Sequence, residues 1–183
     1  MCPELTPSLL AAQLYQESGF DPNIVSPVGA IGIAQFMPGT WPNWSSPQDG
    51  DGRQDPRNPA DAIPAAARYD CAIAHQLSGI GGDHVANMLA GYNAGFGAVQ
   101  KYGGIPPYSD TVKYVPDIQS RRAKYAADPQ LVSSTMTTSS TSTSSGTSTT
   151  PNATAAMQVP SDAAAVDFAK QFLGRPWVWG GGD

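Results

Sequence analysis

A carboxyl group that is to give up a proton near neutral pH must sit where charge is costly, and this chain has few glutamates to place there. All but two of its 15 acidic residues are aspartates; the two are Glu4 and Glu17. Glu17 follows Leu14 by three positions and Leu10 by seven, so on a helix it projects from the apolar stripe rather than the solvent face. Desolvation there raises a carboxyl pKa and makes the group a proton donor. For an isolated residue, a structural glutamate bonded to backbone or a nearby loop is the commoner outcome. Ser18, Gln35 and Asn93 carry hydroxyl and amide groups that match those of a glycan. Tyr92 and Tyr114 could stack on sugar faces or donate to a carboxyl. Singly, each of these also reads as a loop hydrogen bond or a core residue with a wet tip. Gly29 and Gly32 would let backbone approach a sugar or close a tight turn.

The elements that must hold these groups are helices. Thr6 is an N-cap ahead of Pro7, and Gly19 is a stop, which predicts a helix over 7–18. Residues 20–60 are rich in Pro, Gly, Asn and Asp and are broken by one short apolar segment at 30–37, so loops with a short helix are expected. An alanine-rich run after Asn58-Pro59 predicts a second long helix through residue 77, followed by helices at 83–92, 96–102 and 109–127. Strand signals are nearly absent, so the fold class is mainly α. Between 133 and 150 almost every residue is Ser or Thr, a composition that cannot bury enough apolar surface to offset ordering entropy. Residues 130–160 are therefore read as a disordered linker with a reach of roughly 30 Å. Helical spacing resumes after Asp162 and ends in a glycine run, as an incomplete helical stub.

The net charge is −5, and only 14% of residues are charged, which argues against a nucleic-acid binder. No stretch approaches the roughly 20 apolar residues of a membrane span, and no signal-peptide layout is visible. The chain is read as a piece of a longer protein, with 1–129 as one domain.

Four ordered motifs carry a resemblance. They are Glu17-Ser18-Gly19-Phe20-Asp21-Pro22; the run from Ser26 to Thr40 containing Gly32-Ile33-Ala34-Gln35-Phe36-Met37; Ala90-Gly91-Tyr92-Asn93-Ala94-Gly95; and Thr111-Val112-Lys113-Tyr114-Val115. Over residues 3–125 the chain resembles the Slt-type lytic transglycosylases of glycoside hydrolase family 23, lysozyme-like enzymes that cut bacterial peptidoglycan. The resemblance implies Glu17 as the catalytic acid and Ser18, Gln35, Met37, Tyr92 and Asn93 at the sugar cleft, with Tyr114 approaching the catalytic carboxyl. Asp110 stands where many members have a glutamate. Glycosidases usually use two carboxylates; the motifs supply no second one, which fits a single-glutamate mechanism. That mechanism closes a 1,6-anhydro ring on N-acetylmuramic acid. The alternatives are a hydrolysing muramidase of the same fold and a non-catalytic wall-binding module.

The implied partner is the peptidoglycan glycan strand, met by a monomer in the extracellular space or cell envelope, with no cofactor. In an envelope enzyme, Cys2 and Cys71 suggest a disulfide; a buried thiol at Cys71 with an incidental Cys2 is the alternative. Asp49, Asp51 and Asp55 have the oxygen spacing that opens a calcium loop, but the closing glutamate is missing and an ordinary Asp-Gly turn is the preferred reading. His75 and His84 lack partners at metal spacing. Arg121, Arg122 and Lys124 read as a solvated helix face. Residues 161–183 are similar to the opening of NlpC-type cell-wall endopeptidases, without that family's cysteine and histidine.

Overall fold

The computed structural model describes residues 2–46 and 51–127. The linker expected at 130–160 and the NlpC-like segment at 161–183 lie outside them, as do Asp49 and Gly50. Six helices follow in order: α1 (Pro7–Ser18), α2 (Trp41–Trp44), α3 (Pro59–Gln76), α4 (His84–Ala94), α5 (Phe96–Tyr102) and α6 (Ser109–Ala126). Among the described residues there is no strand; two isolated antiparallel bridges, Val25 with Ile31 and Ile31 with Phe36, fold the 25–36 loop on itself. The short helix expected within 20–60 falls at Trp41–Trp44, downstream of the apolar 30–37 segment, which is a chain of turns.

Side-chain caps set the starts. The Thr6 hydroxyl accepts from the Leu9 N–H at 3.2 Å, and the Asn58 side chain accepts from Ala60 at 3.0 Å. Asp83 accepts from Val85 and Ala86 at the head of α4. Gly19 ends α1 in the left-handed conformation, φ 63°, and donates to the Tyr15 carbonyl.

Helix α1 is the centre. Leu9, Leu10, Ala11, Ala12, Gln13 and Leu14 are all buried, so this helix is covered on every side rather than along one stripe. Helix α6 packs along it, with Tyr114, Val115 and Ile118 inward. Each buried leucine contributes about 1.5–3 kcal/mol of transfer free energy. Arg121, expected on a solvated face, instead stacks its guanidinium 3.6 Å from the Tyr15 ring centroid, fastening α6 to α1. His75 and His84 are exposed.

Helices α3 and α4 pack closely because Gly91 has no side chain: a Cβ there would lie 2.5 Å from Ile73 Cγ2. Cys2 and Cys71 are disulfide-bonded, with Cα atoms 5.4 Å apart, and so tie the segment ahead of α1 to the middle of α3.

Candidate active site

Glu17 lies in the last turn of α1, just before two consecutive left-handed residues, Gly19 and Phe20 (φ 67°), that reverse the chain. A non-glycine residue in that region is strained, and strain of this kind persists where surrounding contacts over-determine it. Phe20 is held by burial and by an edge-on contact with Tyr15 at 5.7 Å.

The four sequence motifs are joined by a closed circuit of hydrogen bonds. Ser18 Oγ donates to the Ile33 carbonyl at 2.8 Å, joining the first motif to the second. Tyr92 Oη donates to the Ala34 carbonyl at 2.8 Å, joining the third to the second. Thr111 Oγ1 donates to Asn93 Oδ1 at 2.7 Å, joining the fourth to the third. Tyr114 Oη donates to Glu17 Oε1, returning the fourth to the first. Residues scattered from 17 to 114 are thereby fixed around one carboxyl.

Glu17 is half-buried as a residue, yet its carboxyl is poorly solvated. Burial raises its pKa to about 7, against the lowering effect of the Tyr114 hydrogen bond. The same burial, with the Glu17 charge added, pushes Tyr92 and Tyr114 well above the usual tyrosine range, so both hydroxyls stay protonated as donors.

The structure distributes the remaining expected residues over two roles. Ser18 and Tyr92 direct their hydroxyl protons at backbone carbonyls and so hold the 30–37 segment in place. Gln35 adopts φ 50° and donates from Nε2 to the Gly32 carbonyl at 2.8 Å. Met37 is exposed on the same segment, and Asn93 is exposed at the end of α4. Gly32 serves close approach to protein rather than sugar: with φ 77°, a Cβ would fall 1.9 Å from the Pro56 carbonyl oxygen. Asp110 is exposed in the first turn of α6, accepting from Ser109 Oγ.

Asp51 and Asp55 accept from the backbone N–H of Arg53 and Arg57 at 2.7 and 2.9 Å, the geometry of local turns. Among the described residues no group of three His, Cys, Asp or Glu side chains converges to hold a metal.

Sequence reasoning missed two features. A cluster of Phe36, Trp41, Trp44, Tyr69 and Tyr92, with neighbouring centroids 4.9–6.3 Å apart, includes Phe36 of the 30–37 segment. Asp70, wholly buried on α3, accepts from Gln13 Nε2 at 3.1 Å. A lone aspartate in an alanine-rich helix reads as surface; the only hint was a glutamine inside the apolar run of α1.

The Tyr114 bond has a measurable consequence. Tyr114→Phe removes a donor that favours the ionised carboxyl, so Glu17 holds its proton to higher pH. Loss of the positioning bond is expected to lower peptidoglycan turnover roughly tenfold. A pH profile of turnover checks both: its alkaline limb shifts upward in the variant, and an unmoved limb would refute the assigned role.

The sequence model of the transglycosylase SLT domain family matches residues 2–114. Among solved structures, the chain is similar to the 70 kDa soluble lytic transglycosylase of Escherichia coli, with 26% identity and a TM-score of 0.55. The similarity covers 68% of this chain and 22% of that one, so the chain spans about a fifth of that enzyme's length. The helical architecture is the lysozyme-like fold that the motifs imply.

Proposed function

The chain belongs to the transglycosylase SLT domain family, and from that premise we propose that residues 1–129 are a peptidoglycan lytic transglycosylase with Glu17 as single general acid and base. The observation that carries this is the Glu17 carboxyl, protonated up to about pH 7 and fixed by Tyr114 at the meeting point of four motifs. The substrate is the β-1,4 bond between N-acetylmuramic acid and N-acetylglucosamine. Glu17 gives its proton to the glycosidic oxygen, the C–O bond breaks, and the substrate's acetamido group stabilises the positive anomeric centre. The Glu17 carboxylate then takes the proton of the muramic acid's C6 hydroxyl, whose oxygen closes the 1,6-anhydro ring. The proton returns to Glu17, and no water is consumed.

Gln35, Met37 and Asn93 are assigned to the glycan; Ser18 and Tyr92 are assigned to shaping the cleft that receives it. The partner is peptidoglycan, acted on by a monomer in the cell envelope or outside the cell. Among the described residues no helix is long and apolar enough to cross a membrane. The similarity of 161–183 to NlpC-type openings supports a parent protein that cuts both glycan and peptide.

Mass spectrometry of peptidoglycan digested by the full chain tests the product. Anhydromuramic ends are expected; reducing ends alone would assign a hydrolysing muramidase, and binding without turnover a wall-binding module.

A further inference from the structure

Beneath Glu17, α1 and α3 meet through a wholly buried polar pair. Gln13, one turn before Glu17, is 1% exposed, and Asp70 is 0% exposed. Gln13 Nε2 donates to Asp70 Oδ1, but Gln13 Oε1 and Asp70 Oδ2 have no partner. Two orphaned acceptors on one pair are what an ionised Asp70 would leave. A proton on Oδ2 would make it a donor, and the orphaned acceptor on the amide already bonded to this carboxyl, Gln13 Oε1, is the partner that one hydrogen would satisfy.

We propose that Asp70 is a positioning residue for Glu17: a neutral acid closed onto Gln13 by two antiparallel hydrogen bonds, which fastens α1 one turn before the catalytic carboxyl and keeps a second negative charge from lying under it. The groups acting on this carboxyl agree. Burial pushes Asp70 well above the usual carboxylate range, and the Glu17 charge adds to this, against the Gln13 hydrogen bond. Glu17 faces it from α1, Tyr69 from α3, Tyr92 from α4 and Tyr114 from α6; none of these is a cation. Asp70 therefore does not supply the second carboxylate of a two-acid glycosidase. Acid and base steps both remain with Glu17, so the assignment deepens the transglycosylase reading and rests on it.

Asp70→Asn in the full chain tests the proton. Asparagine keeps the shape, and its amide N–H donates to Gln13 Oε1 permanently. The native pKa lies above the unfolded one, so wild type loses stability as pH rises between the two values. Asp70→Asn is expected to melt higher than wild type at pH 8, with the gap closing toward pH 4. The midpoint of the alkaline loss of turnover is expected to stay at its wild-type pH. A lower melting temperature at pH 8, or a midpoint moved to lower pH, would reveal a lost carboxylate and overturn the proposal.

Asp70→Leu cannot pair with Gln13 and is expected to lower kcat roughly tenfold, whereas Asp70→Asn recovers most of it; full kcat in the leucine variant would refute the positioning role. Carbon-13 NMR of aspartate-labelled wild type needs no variant: one buried carboxyl carbon keeps its neutral-acid shift at pH 8, and titration of every aspartate in the ordinary range would overturn the assignment. The melting and NMR measurements hold even if the chain turns over no peptidoglycan, so failure of the functional reading is distinguishable.

Discussion

Glu17→Gln is expected to lower peptidoglycan turnover by roughly 10³-fold or more while raising the melting temperature at pH 8. On the proposed mechanism the first effect is the loss of a general acid, worth about 10²–10⁴ in rate, at a site where the same group would later serve as base. The second follows from linkage. Glu17 has a pKa of about 7 in the folded chain against 4.5 as its reference value. Between those values the unfolded chain has released the proton and the folded chain retains it, so stability falls as pH rises from 4.5 to 7. At about 1.4 kcal/mol per pKa unit, the penalty above pH 7 approaches about 3–4 kcal/mol as an upper bound. Glutamine never ionises, and its Oε1 still accepts from Tyr114. Product assays and melting curves at pH 4 and pH 8 check both arms. Full turnover by the variant would refute the assignment of Glu17; equal melting temperatures at pH 8 would refute the desolvated carboxyl. The site thus holds its acid at a cost in stability, a common bargain in active sites.

Loss of the Cys2–Cys71 disulfide is expected to lower the melting temperature by roughly 10–15 °C. The bond closes a loop between residues 69 apart in sequence. Opening it returns about 4 kcal/mol of chain entropy to the unfolded state, and for a domain near this size each kcal/mol moves the midpoint by about 3–4 °C. Melting of Cys71→Ser and of reduced wild type measures the change. An unchanged midpoint would show that docking of the N-terminal segment does not depend on the bond. Activity well below the midpoint should survive, because neither sulfur belongs to the hydrogen-bond circuit around Glu17.

The helices were legible because their ends carry chemistry. Thr6-Pro7, Gly19 and Asn58-Pro59 mark boundaries through caps and a left-handed turn, and α1 begins and ends, and α3 begins, where these residues place them. The position of Glu17 was legible from helical spacing alone. What holds it in place was not. Ser18 and Tyr92 bond to the carbonyls of Ile33 and Ala34, and a backbone carbonyl has no signature in sequence. Gly32 could equally have served a sugar or a neighbouring strand of protein; only the Pro56 oxygen beside it decides. Asp70 was not legible because its burial and its bond to Gln13, 57 positions away, are tertiary facts that local pattern does not encode.

The circuit around Glu17 also governs when the chain can first act. Its four bonds join residues separated by 15, 58, 18 and 97 positions, and the longest is the one to Glu17 itself. A chain emerging from synthesis carries its glutamate early but lacks Tyr114 until nearly the whole domain has been made. The arrangement around the Glu17 carboxyl is therefore complete only once the last helix, α6, has folded back onto the first.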